Sequence, residues 1–249
     1  MKIKRNLLTF TFLVSGCATI THHSDQNTHW SYTGHEGPAH WGALDPKYST
    51  CGSGVNQSPI NLTKFIESDL SPLGLAYKSG GYEVINNGHT IQVNYQPGSS
   101  LAINGHIYKL KQFHFHSPSE NHINGKSYPM EVHLVHADKD GNLAVVGVMF
   151  VEGDENKAIK NIWGITPFTA GSKSDLPFNV SADDILPANQ DYYRFNGSLT
   201  TPPCSEGVLW LVMKQPITAS KEQIVEFSNM MQQPTNRPLQ PINARPVLE

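Results

Sequence analysis

The chain has 249 residues, 38% of them hydrophobic, with 18 basic and 21 acidic side chains for a formal charge of -3. That size and apolar content fill one large core or two small ones and exclude a repeat array or a disordered tail. The near-neutral balance offers no broad basic field for a polyanion, so nucleic acid is excluded as a first partner, and the odd count of 3 cysteines calls for an account.

The amino terminus reads as an export signal. Lys2, Lys4 and Arg5 are positive, and the run from Leu7 to Val14 is uncharged, apolar or hydroxylic, and too short to span a bilayer. Val14-Ser15-Gly16-Cys17 closes that run as a bacterial lipoprotein signal does, with cleavage before Cys17 freeing its thiol for a diacylglyceryl group; ordinary signal-peptidase cleavage nearby is the alternative. Residues 1–16 are then the signal segment, and a lipid would attach the protein to a membrane without a spanning helix. Residues 17–28 have no periodic apolar face and form a tether, lipid-anchored or free, that includes His22 and His23. Losing residues 1–16 leaves 15 basic against 21 acidic side chains, a mildly acidic mature surface of -6.

Residues 29–249 contain no internal repeat, low-complexity linker or charge block and are expected to form one domain. Strand-like segments dominate it: Tyr82–Ile85, Thr90–Tyr95, Tyr108–His116, Met130–His136 and Ala144–Phe150, divided by Asn-Gly, Pro-Gly and Asp-Gly-Asn turns. Helices are expected at Asp154–Ile162 and Lys221–Met231. The sum is a mainly β domain, a large sheet with peripheral helices.

The chemistry is concentrated in Gln112-Phe113-His114-Phe115-His116 and Glu131-Val132-His133-Leu134-Val135-His136. On a strand, His114 and His116 share a face with Gln112, roughly 7 Å apart along the backbone, while Phe113 and Phe115 face the other way. The second strand puts Glu131, His133 and Val135 on one face, so a neighbouring strand can carry His133 to the third corner of a tetrahedral site. Three neutral nitrogens suit zinc, and a fourth position left to water marks a catalytic rather than a structural ion. Aromatic core filling with ordinary hydrogen bonds fits the same alternation.

Seven segments then resemble the motifs of the alpha-class carbonic anhydrases, of the bacterial extracytoplasmic type, in the family's order. They are Trp30-Ser31-Tyr32, Gly54 to Asn61, Asn86-Asn87-Gly88-His89, Gln112 to His116, Glu131 to His136, Gly197 to Pro203 and Asn236-Arg237-Pro238. The resemblance spans Trp30 to Arg245. It implies a single-domain fold on a twisted, mostly antiparallel sheet of about ten strands. It also implies a zinc lyase that hydrates carbon dioxide reversibly to bicarbonate and a proton through attack by zinc hydroxide, with room for a side esterase activity.

The resemblance further assigns roles. His114, His116 and His133 hold Zn2+, with Gln112 behind His114 and Glu131 behind His133; such outer partners orient the rings and strengthen the ligands, an effect established on carbonic anhydrase itself. Thr200 donates to ionised Glu120 and accepts from the reacting hydroxide, which also rejects ligands with no proton to give. Val135, Val145, Leu199 and Trp210 wall an apolar pocket for carbon dioxide, and Thr201 contacts bicarbonate. His89 shuttles the proton outward through water, with Tyr32, Asn87 and Gln112 along the route. Anions and sulfonamides are the implied inhibitors, a homodimer is allowed, and His35, His40, His106, His122 and His136 remain surface or packed residues.

An exported domain permits Cys51 and Cys204 to pair, and extracytoplasmic members of the family carry a disulfide in this arrangement; two separate thiols are the alternative. Phe195 stands where many members have tyrosine. Asn61-Leu62-Thr63 and Asn196-Gly197-Ser198 match the glycosylation pattern, but the second is better explained by the active-site loop. A silent binding domain would lack a ligand histidine, and a zinc carrier or adhesin would need an exposed histidine cluster.

Overall fold

The structure is a computed structural model that describes residues 28–249. The signal segment 1–16, Cys17 and the tether through residue 27 lie outside the described residues. The strands in chain order are β1 (Asn61–Leu62), β2 (Gly74–Ala76), β3 (Gly81–Asn86), β4 (Ile91–Tyr95), β5 (Ser100–Ile103), β6 (His106–His116) and β7 (His122–Ile123). They continue with β8 (Met130–Ala137), β9 (Leu143–Glu152), β10 (Ser172–Val180), β11 (Tyr192–Ser198), β12 (Glu206–Met213) and β13 (Ile217–Ala219). Helices α1 (Trp41–Leu44), α2 (Thr50–Ser53), α3 (Lys157–Trp163) and α4 (Lys221–Met231) lie around them.

The large sheet has 11 strands with the main order β10-β3-β4-β6-β8-β9-β12-β11, close to the expected ten. Pairing is antiparallel except where β12 and β13 run parallel to β9, and β1 and β7 form a separate parallel pair. Period-two alternation explains why the sheet has two different faces. Phe113, Phe115, Val132, Leu134, Val146 and Val148 are fully buried in one cluster that also takes Ile159, Ile162 and Trp163 of α3 and Phe227 of α4. The intervening residues Val145, Met149, Val208, Trp210 and Val212 belong to a second cluster on the opposite face. The metal-site histidines alternate with the first set, so the helices seal one face and leave the other for chemistry.

Two expectations are corrected. The helix expected at Asp154–Ile162 runs instead over Lys157–Trp163, because the Asn156 side chain accepts from the Ile159 N–H and caps the first turn, leaving Asp154 and Glu155 outside. Asn196-Gly197-Ser198 is not loop but the end of β11, paired with β12. Gly197 is required there because a Cβ would collide with the Ser58 hydroxyl. By contrast α4 begins and ends where its pattern says, with a Ser220–Gln223 capping box and a left-handed Gln232 at its end. His136 is packed: its Nε2 lies 2.7 Å from the Tyr77 hydroxyl, and burial pushes the ring down to about 4, so it stays neutral.

Candidate metal centre and active site

Register brings the ligand set together. Across β6 and β8, His114 stands opposite His133, His116 opposite Glu131, and Gln112 opposite Val135. The three imidazole centroids are 5.0, 5.4 and 4.6 Å apart, and one nitrogen of each lies within 4.8 Å of the others. The outer nitrogen of every ring faces a protein acceptor. His114 Nδ1–H donates to Gln112 Oε1 at 2.8 Å and His116 Nδ1–H to the Thr235 carbonyl at 2.5 Å. His133 Nε2 lies 3.0 Å from Glu131 Oε1, a close contact outside hydrogen-bond geometry. By elimination, Nε2 of His114, Nε2 of His116 and Nδ1 of His133 are the nitrogens that face the common centre.

These residues fit a metal. His116 Nε2 is buried with no hydrogen-bond partner among the described residues, an expensive orphan unless a cation takes its lone pair. Burial pushes all three imidazoles below their usual range, which keeps them in the neutral form a metal requires. Glu131 is anchored in turn: Oε2 accepts from the Glu120 and Asn121 N–H groups at 2.9 and 2.8 Å, and Oε1 from the Asn121 amide at 2.8 Å. Gly147, opposite His133 on β9, keeps that space clear, since a Cβ there would stand 3.0 Å from Glu131 Oε1.

Glu120 is fully buried next to the centre. Its Oε1 accepts from the Arg237 N–H at 2.8 Å, and Oε2 is 3.5 Å from His116 Nε2 and 3.9 Å from His133 Nδ1. Burial pushes its carboxyl up to about 8 against the lowering pull of the Arg237 N–H and the Thr200 hydroxyl. A divalent cation held by the three imidazoles would add positive charge beside Oε2 and favour the carboxylate. Thr200 itself is buried and leads a tight loop, closed by Leu199 N–H to the Ser205 carbonyl at 2.9 Å and Cys204 N–H to the Thr201 carbonyl at 2.8 Å. The Cys51–Cys204 disulfide is formed and ties this loop to α2.

A single row of cross-strand neighbours builds the apolar wall: Gln112, Val135, Val145, Trp210 and Phe195 succeed one another across β6, β8, β9, β12 and β11. Leu199 packs on the same cluster, and the Trp210 ring stands edge-on to His133 with centroids 4.8 Å apart. Phe195 lies parallel to Trp210 at 5.9 Å, so its ring braces the wall. A cavity of about 130 Å³ opens from His114 and His116 past Gln112, Thr201 and Tyr32 to His89. His89 is half-buried, stacks on Trp30 at 3.7 Å, and has Nδ1 buried without a hydrogen-bond partner among the described residues. Burial, then the charge of His29, lowers its pKa. Asn87 lines this route, although its side-chain oxygen is engaged by the His89 and Thr90 N–H groups and shapes the turn.

Thr235 and Asn121 were not singled out by sequence reasoning. The Thr235 contribution is a backbone carbonyl with no side-chain signature, and the only signal near it is the following Asn236-Arg237-Pro238 motif. Asn121 follows Glu120 directly, and a polar residue so placed is the one hint of its part.

Comparison with known proteins places these features in context. The family model for eukaryotic-type carbonic anhydrase matches residues 36–249. A carbonic anhydrase of Pectobacterium carotovorum is 45% identical over 241 residues, covering 97% of this chain and 98% of that protein. Among solved structures, a hyperthermostable carbonic anhydrase from an active hydrothermal vent chimney is 53% identical with a TM-score of 0.87, covering 89% of this chain and 99% of its own. The alpha-carbonic anhydrase of Thermovibrio ammonificans, in complex with the inhibitor sulfanilamide, is 46% identical with a TM-score of 0.88, covering 90% of this chain and 100% of its own.

Proposed function

The chain belongs to the alpha carbonic anhydrase family and is a zinc-dependent lyase that interconverts carbon dioxide and bicarbonate, and we propose that Thr200, Glu120 and His89 carry its catalytic cycle. The observation that carries this reading is the convergence of three inward imidazole nitrogens whose outer nitrogens each face a protein acceptor. His114, His116 and His133 would hold the zinc, whose chemistry there would be to lower the pKa of a bound water to about 7, a magnitude taken from carbonic anhydrase itself.

The chain's own residues do the rest. On this reading Thr200, which lowers the Glu120 carboxyl, gives its hydroxyl hydrogen to the ionised form and turns its lone pairs toward the pocket, so it accepts from a proton-bearing oxygen there and opposes one with no proton to give. Val135, Val145, Leu199 and Trp210 supply the dry wall that a molecule without a net dipole needs, and Thr201 contacts the bicarbonate product. His89 accepts the proton through water from the centre, at the mouth of the same cavity, beside Tyr32. Sulfonamides are inhibitors on this reading, supported by the sulfanilamide complex of the Thermovibrio ammonificans relative, and small anions compete for the same centre.

Stopped-flow hydration of carbon dioxide tests both halves. A zinc chelator is expected to abolish the rate and added zinc to restore it. His89→Ala is expected to lower turnover by about tenfold in weak buffer, with recovery on adding imidazole. Chelator-insensitive hydration overturns the zinc assignment, and His89→Ala turnover equal to wild type without rescue overturns the shuttle.

The protein is exported and acylated at Cys17 on the same reading, supported by the basic Met1–Arg5 segment, the Val14–Cys17 pattern and a disulfide suited to an oxidising compartment. Labelled palmitate is expected to enter the full-length chain in a bacterial host and not its Cys17→Ala variant; equal labelling of both rules the site out.

A further inference from the structure

The residues through which the chain enters the domain also wall the mouth of the pocket. Thr28 and Trp30 line an outer cavity of about 550 Å³ together with His89, Pro202 and Pro203, and His89 also lines the inner cavity that leads from the histidine cluster. Thr28 is fixed in place there. Its hydroxyl donates to Asp45 Oδ2 at 2.5 Å, its carbonyl accepts from the Tyr48 hydroxyl at 3.0 Å, and two residues on Trp30 stacks on His89 at 3.7 Å. Whatever pulls on the chain ahead of Thr28 pulls on the rim of the active site.

The length of that chain decides what the rim can face. From Cys17 to Thr28 there are 11 residue steps, which reach at most about 40 Å when fully extended. A domain running from residue 28 to 249 has a radius of gyration of about 17 Å, equivalent to a sphere about 45 Å across and about 70 Å around half its girth. A lipid on Cys17 therefore cannot enter a bilayer on the side of the domain opposite the mouth, and stretching the tether toward its limit costs conformational entropy. No helix among the described residues is long and apolar enough to cross a membrane, and the mature charge of -6 gives the domain no attraction of its own to anionic lipid. The tether's length and its point of entry then set which face meets the membrane.

We propose that the active-site mouth faces a lipid surface, the bilayer that holds the Cys17 acyl group. The inference rests on acylation at Cys17 and on carbon dioxide hydration as the reaction. Carbon dioxide has no net dipole and crosses the apolar layer that bicarbonate and protons do not. Gas leaving the bilayer meets the outer cavity first, and the proton handed on by His89 emerges beside the headgroups.

The test uses the full-length acylated zinc enzyme on vesicles of phosphatidylethanolamine with a minor share of phosphatidylglycerol and an acceptor dye on the headgroups. A fluorescent donor is carried on a bioorthogonal side chain in place of Lys47, on the wall of the outer cavity, or in place of Lys139, whose side chain is 87% exposed. The two sites are well separated. Thr90, next to His89, meets the Phe115 carbonyl near one end of β6, whereas Lys139 lies just past Ala137, which pairs with Lys109 about 20 Å back along the strand. Energy transfer from position 47 is expected to exceed that from position 139 by about twofold or more. Inserting about 40 Gly and Ser residues between Asn27 and Thr28 lets the tether pass around the domain and is expected to bring the two toward equality. Equal transfer with the native tether, greater transfer from position 139, or a preference that survives the longer tether overturns the proposal. Mass spectrometry and vesicle flotation come first, because protein that carries no acyl group or does not float with the vesicles overturns the Cys17 reading instead.

Discussion

In His133→Ala the zinc content is expected to fall to a small fraction of one per chain and the hydration rate by at least about a thousandfold. Two imidazoles remain on β6, at His114 and His116, but the only ligand from the facing strand is gone. A site of two nitrogens cannot hold zinc in the tetrahedral arrangement that leaves one position for water. The variant is expected to fold, because Glu131 keeps its two backbone donors and the Asn121 amide, and β8 keeps its pairing with β6 and β9. Circular dichroism checks the fold, and metal analysis beside stopped-flow hydration checks the site. Full zinc with an unchanged rate would refute the ligand role.

The residues that carry this prediction were legible before any coordinates because their signal is local. Phe and His alternate from Phe113 to His116, and period two alone sorts them onto opposite faces. The same is true of β8 and of α4, whose caps lie within four residues of its first turn. What was not legible depends on register and on backbone. The run Val208–Met213 shows no alternation because β12 is covered on both faces, so only the family resemblance, and not the pattern, put Trp210 on the pocket wall. Trp210 joins the wall only because β12 pairs in parallel with β9 and sets it beside Val145. The Thr235 carbonyl behind His116 has no sequence signature at all, since every residue there would offer the same oxygen. Helix α3 shows the converse case, in which a hydrophobic pattern was read correctly and a single capping Asn156 moved its start.

Replacing both Cys51 and Cys204 by alanine is expected to lower the free energy of unfolding by about 2–5 kcal/mol and to loosen the Thr200 loop before the rest of the fold. The bridge joins positions 153 residues apart, so it restrains a large part of the unfolded chain. It is also wired to Glu120. The Cys204 carbonyl accepts from Gln57 Nε2 at 3.0 Å, and the Cys51 carbonyl accepts from Arg237 Nη2 at 2.9 Å. Arg237 Nη1 donates to Gln57 Oε1 at 2.8 Å, and the Arg237 backbone N–H donates to Glu120 Oε1 at 2.8 Å. Arg237 is almost fully buried and faces Trp41, so slack at either cysteine backbone reaches Glu120 through a side chain with little room to adjust. Denaturant titration of the variant and of the wild type under reductant should give the same lowered midpoint. Hydration activity in the variant should fall at denaturant concentrations where β-sheet circular dichroism is still native. An unchanged midpoint contradicts the restraint by the bridge, while activity and circular dichroism lost together contradict its coupling to the Thr200 loop. The second comparison matters more for function, because it separates a covalent tie on the unfolded chain from a brace on Thr200, the residue proposed to orient the reacting oxygen.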